Sequence, residues 1–367
     1  MPSLILLLEL ALIAIVFAGL PLAYLWTMPG YSFFQKLNWL LVFMTFDLIV
    51  FGAFTRLTDS GLGCPDWPGC YGNSNPLHAL GDIKQAEHLL PDGPVTVMKA
   101  WIEMIHRYLA MTVGALILVQ VGTAFSRLKS LGKGPLLGSL GLLLLVCVQG
   151  AFGAWTVTLK LQPIIVTFHL ILALLLLAAL TSFAQQVWVG KNSAVQVLQI
   201  KPVSGFLWLF AFVILFCQIF LGAWVSTNYA VLACPDFPTC LGAAWPETNW
   251  QEGFTLWRQL GLNAQGEFIS PVALQTIHWA HRLFASLVLL VLSVLALRIL
   301  RQSSSATEDL NRFAKLLLSL LALQIITGIS NVIFQWPLVA ALLHTAGSAA
   351  LVFCMVRIGY WTSWKRL

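Results

Sequence analysis

Nine apolar runs divide the chain, at roughly 4–27, 37–56, 97–125, 135–158, 163–189, 203–227, 271–300, 313–334 and 338–361. Each is close to or above the about 20 residues that a helix needs to cross a bilayer. Runs such as "LILALLLLAAL" (170–180) lack the apolar/polar alternation of a membrane barrel strand. The pattern therefore predicts nine transmembrane helices. Two of the intervening loops are long, roughly 57–96 and 228–270. The first run has no Lys or Arg before Lys36 and is too long for the hydrophobic region of a signal peptide. It is read as a retained helix.

A longer period lies over this pattern. Residues 50–70 align with 220–240, with identity at Gly52/Gly222, Ala53/Ala223, Leu62/Leu232, Cys64/Cys234, Pro65/Pro235, Asp66/Asp236, Pro68/Pro238 and Cys70/Cys240. Further on, at an offset of 175, "IHRYLA" (105–110) meets "AHRLFA" (280–285), Gln149 and Gly153 meet Gln324 and Gly328, and His169 meets His344. The repeat unit is four helices, segments 2–5 and 6–9. An even number gives both copies the same orientation, so the repeat is parallel about an axis along the membrane normal. The expected fold is an all-α polytopic membrane protein of two tandem four-helix bundle repeats plus an extra N-terminal helix. The expected parts are that helix (1–36), a first four-helix unit (37–190), a linker (191–202) and a second four-helix unit (203–367).

Composition agrees: 59% of residues are hydrophobic and only 9% charged, where a soluble domain carries about 25% charged residues. The positive residues give the orientation. Arg127, Lys129, Lys133, Lys191, Lys201, Arg298, Arg301, Arg312, Lys315, Lys365 and Arg366 all fall on one side. That side is expected to be cytoplasmic, with the C-terminus, and the two long loops lie outside. This bias accounts for the net charge of +6 and implies no nucleic-acid partner.

Candidate chemistry starts with the histidines. His78 and His88 lie in the first outer loop and read as solvated residues. His106, His169, His281 and His344 lie in segments 3, 5, 7 and 9, where ionisable groups are costly and usually functional. Each is some six to ten residues from the outer end of its helix, roughly 9–15 Å deep. The duplication pairs His106 with His169 and His281 with His344. Two histidines on facing helices suit an axially ligated haem. A zinc site would need further ligands, which the outer cysteines would supply only if their loops dipped into the bundle. A proton relay would not explain one matched pair per repeat.

The repeats differ at one charged position. Glu103 precedes His106 by three residues, on the same helix face. It is a candidate for proton transfer, or a partner that orients His106. The second half has His278 there, in "IHWAHR". His278 is thus an alternative ligand to His281, which is preferred because its His-Arg pair aligns with His106-Arg107. Arg56, Arg107 and Arg282 are candidates for pairing with haem propionates.

Cys147, Cys217 and Cys354 lie inside helices and read as inert packing residues. Cys64 with Cys70 and Cys234 with Cys240 lie outside, in loops whose prolines could bring each pair together as a disulfide. Two readings stay open, structural staples or a redox-active pair above a haem, the second carrying more weight at Cys64 and Cys70.

These residues resemble the haem A synthase family, in its bacterial branch with cysteine pairs in both halves. The resemblance rests on the four-helix repeat, "GAFTRLTDSGLGCPDWPGC", "EMIHR" in segment 3, "AHR" in segment 7 and one histidine in each of segments 5 and 9, and covers residues 37–361. It implies oxidation of a methyl group of haem O to a formyl group, giving haem A for terminal oxidases. It implies that His106 and His169 hold the substrate haem, that Glu103 is the essential acid, that Cys64 and Cys70 are linked to activity, and that His281 and His344 hold a haem b. The setting would be a bacterial inner membrane, with haem O synthase and oxidase assembly factors as partners and an oligomer conceivable. Segment 1 is additional to the family's eight helices. A di-haem cytochrome b-type electron-transfer subunit and a haem transporter or chaperone are the alternatives.

Overall fold

The structure is a computed structural model that describes residues 4–27, 29–91, 93–189, 204–302 and 308–360. Lys191, Lys201, Lys365, Arg366 and the linker 191–202 lie outside the described residues, so the orientation argument keeps only part of its charges here. Among the described residues there are helices and no strands, with isolated bridges only in loops. The α-helices are α1 (Leu4–Thr27), α2 (Phe33–Leu57), α3 (Leu80–Leu89), α4 (Val97–Ser126), α5 (Leu128–Leu131), α6 (Lys133–Thr158), α7 (Pro163–Val189), α8 (Gly205–Thr227), α9 (Trp250–Gly253), α10 (Pro271–Arg301), α11 (Glu308–Ile333) and α12 (Leu338–Gly359). All nine expected spans are present, as the long apolar helices α1, α2, α4, α6, α7, α8, α10, α11 and α12.

The helix starts differ from the apolar runs where polar chemistry extends them. Ser32 accepts from the Gln35 N–H, and the Gln35 side chain accepts from the Ser32 N–H, so α2 begins ahead of its apolar run. Among the described residues α11 runs from Glu308, ahead of its apolar run; Glu308 and Asp309 lie in its first turn and Glu308 pairs with Arg312 at 2.6 Å. α3 has no counterpart in the predicted spans. It is a short polar helix that buries only Ile83, too weak a pattern to stand out. Ser270 caps α10 ahead of Pro271, whose fixed φ suits the first turn.

The described chain forms two compact units. One holds α1 to α6 with α7 from Leu175 onward; the other holds the first part of α7 with α8 to α12. In the first, α4 packs on α1, α2 and α6. The second part of α7 joins them through Phe183, edge-on to Phe34 at 6.2 Å and against Gly138. Deep in this unit Gln120 donates to Asn38 at 2.6 Å, a buried amide pair joining α4 to α2. In the second unit α8 and α11 each pack on both α10 and α12, whereas α10 and α12 are not closely packed on each other. The four helices therefore form a ring with α10 and α12 on its diagonal. Those are the helices that carry His281 and His344.

Candidate functional site

Each long loop closes with the same local chemistry. Cys64 is bonded to Cys70 and Cys234 to Cys240, with S–S distances of 2.07 and 1.97 Å, and all four cysteines are fully buried. After the second cysteine the chain turns through two residues of positive φ, Tyr71 (50°) then Gly72 (72°), and Leu241 (53°) then Gly242 (75°). That geometry turns successive N–H groups toward one anion. Asp66 accepts from Tyr71 and Gly72 at 2.6 and 2.7 Å. Asp236 accepts from Leu241 and Gly242 at 2.6 and 2.9 Å, and from the Thr239 hydroxyl. The hydroxyl and the two N–H groups hold the Asp236 carboxyl down at about 2. The aspartate in each C-P-D-x-P-x-C stretch thus ties the two ends of its loop together.

One arginine anchors each loop from below. Arg107 Nη1 donates to the carbonyls of Pro68 (3.3 Å) and Gly69. Arg282 Nη1 donates to Asp236 O and Thr239 O at 2.8 and 2.9 Å, and its Nη2 to Cys234 O at 2.7 Å. Arg56 pairs with Asp59 at 3.2 Å. Arg107 and Arg282 are therefore loop anchors, a use that their place beside the histidines did not reveal. The signal was present: each His-Arg pair aligns with the other, together with the loop above it.

Beneath the anchors the halves diverge. Glu103 is buried (4% exposed) and spends both oxygens: Oε1 accepts from Arg107 Nη2 at 2.6 Å and Oε2 from the Cys64 N–H at 2.8 Å. Gly63 makes the second bond possible. A Cβ there would lie 2.4 Å from the Lys99 carbonyl carbon, so only glycine lets the loop settle onto α4. In the second unit Ala233 occupies the aligned position, and His278 replaces the carboxylate, accepting from Arg282 Nε at 3.1 Å. His278 thus has the same relation to its arginine that Glu103 has.

The other histidines sit against glycines. A Cβ on Gly52 would lie 3.0 Å from His106 Cε1, one on Gly222 2.9 Å from His281 Cε1, and one on Gly328 3.3 Å from His344 Cε1. Phe51 stacks on His106 with centroids 6.3 Å apart. His281 has Gln218 Nε2 3.1 Å from its Nδ1, and His344 has Thr327 Oγ1 2.9 Å from its Nδ1. His106 belongs to the first unit. His169 lies on the first part of α7, within the second, beside Thr167 and Phe168, which meet Thr227 and Phe220 of α8. Gln218 and Thr327 could not be found from the repeat, because Leu48 and Phe152 occupy the aligned positions. Among the described residues no cluster of three or more His, Cys, Asp or Glu could hold a metal ion. His78 meets Asn75 at 3.4 Å in the loop, and His88 lies in the last turn of α3. Cys354 is buried, whereas Cys147 and Cys217 are exposed.

The family model described as cytochrome oxidase assembly protein, COX15-CtaA, matches residues 35–356. The chain belongs to this family. Among similar members, a protein named heme A synthase from Shewanella oneidensis is 37% identical over 340 residues, covering 89% of this chain and 96% of the relative. Proteins of the same name from Allorhizobium ampelinum and Alkalihalophilus pseudofirmus are 30% and 28% identical over 329 and 296 residues, covering 85% and 80% of this chain and 86% and 85% of those relatives. The COX15-CtaA match begins after α1. That helix packs along α4, with Phe17 6.2 Å from Tyr108, and its Leu6 and Leu10 join Cys64, Cys70, Ile83 and Met104 in one buried cluster. In this family member the first cysteine loop is therefore covered by a helix from outside the matched region.

Proposed function

We propose that this chain is a haem A synthase, oxidising a methyl substituent of haem O to a formyl group. Two hydroxylations pass through an alcohol, and the resulting geminal diol loses water. The observation that carries the reading is the Glu103 clamp. One carboxylate, one turn from His106, is fixed by Arg107 and by the backbone of the cysteine loop, and the otherwise parallel second half lacks it. An electron-transfer subunit or a haem carrier has no use for that difference.

His106 and His169 are assigned to the substrate haem. His106 is seated between Phe51 and the Gly52 notch, which restrains its ring. Glu103 then stands at a fixed distance along the same helix, so the reacting edge of the substrate meets a positioned acid or base rather than a mobile one. A proton arriving at Oε2 would weaken the bond from the Cys64 N–H. The charge state of Glu103 is in this way coupled to the seating of the Cys64–Cys70 loop, which supports a role for that pair in activity beyond holding the turn.

His281 and His344 are assigned to a resident haem b, whose chemistry when bound is to relay electrons. Their surroundings fit such a group. The two imidazoles lie on the diagonal helices of a ring of four, each with its Cε1 close against a glycine and with Nδ1 engaged. Gln218 Oε1 is buried without a hydrogen-bond partner. Gln218 Nε2 donates to the His281 carbonyl at 3.2 Å, which holds the backbone beside that ring. His278 is already committed to Arg282, which favours His281 as the ligand. The cysteine loops are assigned to the outer side of a bacterial inner membrane and the C-terminus to the cytoplasm. Haem O synthase and oxidase assembly factors are the expected partners.

Co-expression with a source of haem O, followed by extraction and mass analysis of the haems, tests the reading. Formyl haem that depends on this chain supports it. Unmodified haem O bound to the protein points instead to a carrier, and b-type haem alone to an electron-transfer subunit.

A further inference from the structure

In the second unit a hydroxyl faces one ring nitrogen of a histidine, with the Gln324 backbone beside the same ring. Thr327 of α11 has a single hydroxyl hydrogen, and the Leu323 carbonyl accepts it at 2.7 Å. The same oxygen lies 2.9 Å from His344 Nδ1. With its hydrogen committed, Oγ1 can only accept at that contact. Nδ1 is therefore the protonated nitrogen, and Nε2 keeps the lone pair. The next residue, Gly328, lets the Cε1 edge of the ring come close to α11, since a Cβ there would stand only 3.3 Å from it. Gln324 Nε2 and Ser348 Oγ both donate to the His344 carbonyl at 3.0 Å, so the backbone beneath the ring is held as well.

We propose that Thr327 is a positioning residue for the second haem site: it pre-sets His344 as an Nε2 donor and strengthens that donor by accepting its Nδ1–H. The inference rests on the reading of His344 as a haem ligand. The aligned residue in the first half, Phe152, has no hydroxyl. The device thus belongs to the half assigned a haem that stays.

The test uses the full-length protein in a His106→Ala background, so that the second-unit haem is read alone. Thr327→Val removes the hydroxyl at nearly constant volume, and Thr327→Ser keeps it. The readings are the haem midpoint potential, the low-spin ferric electron paramagnetic resonance signal and the rate of haem transfer to excess apomyoglobin. With Val the potential rises, the signal shifts and haem leaves about tenfold faster; with Ser all three stay at the unsubstituted values. The proposal is overturned if Val matches the unsubstituted protein, or if Ser behaves like Val. A background protein with no two-imidazole haem signal, or one that keeps it after His344→Ala, overturns the ligand reading and the role of Thr327 with it.

Discussion

The two cysteine loops are built alike and rest on different floors. Above, each has a disulfide, an aspartate collar and an arginine anchor. Below, the first arginine meets a carboxylate that also holds the loop backbone, while the second meets an imidazole. A frame built twice can keep its construction and change its chemistry beneath the loop, here from a carboxylate to an imidazole.

The sharpest way to break this comparison is to remove the assigned ligands pair by pair. His106→Ala or His169→Ala should abolish haem A formation, whereas His281→Ala or His344→Ala should remove the b-type absorbance. Both effects are read from pigment spectra of purified protein. Retention of that absorbance in His281→Ala would transfer the ligand role to His278. Next in size, Glu103→His copies the floor of the second unit into the first. Turnover should fall about 10²–10⁴-fold with haem still bound, and His278→Glu should create no second reacting centre. Normal turnover with Glu103→His would remove Glu103 from the mechanism.

A stability comparison follows. Arg107→Ala strands a buried carboxylate and should cost about 3–5 kcal/mol. Arg282→Ala leaves a neutral imidazole and some carbonyls unsatisfied, costing about 1–3 kcal/mol. Thermal unfolding of the two variants in the same detergent gives the order. The smallest effect concerns the collars. The Asp236 carboxyl is held down at about 2 in the folded loop, below the ordinary value of about 3.9. Its contribution is complete above about pH 4 and is lost as the pH falls toward 2. Asp236→Asn should remove that acid dependence, followed by protease nicking of the loop across pH.

Most of this architecture was legible in the sequence, for physical reasons. Apolar length predicts a spanning helix almost by itself, because the bilayer leaves the backbone few alternatives. The repeat revealed the loops and the aligned His-Arg pairs. What stayed hidden depended on contacts between distant segments. The Glu103 bond to the Cys64 N–H joins residues 39 positions apart, and Arg107 and Arg282 reach carbonyls of the loops 38–48 positions earlier. Gln218 and Thr327 escaped notice because they differ from their repeat partners, and α3 because its pattern is nearly all polar.

The cover that α1 gives the first loop has two different replacement values. Along the spanning part of α4, lipid chains could take the place of α1 at small cost, since they are about as apolar as leucine. At the level of Leu6 and Leu10 the substitute would be water, against a cluster that includes Cys64 and Cys70. The helix can thus be exchanged for solvent-like lipid over most of its length and is irreplaceable only over its first two or three turns. A shortened chain that keeps the bundle but lacks those turns would have a wet first disulfide and an unchanged second one.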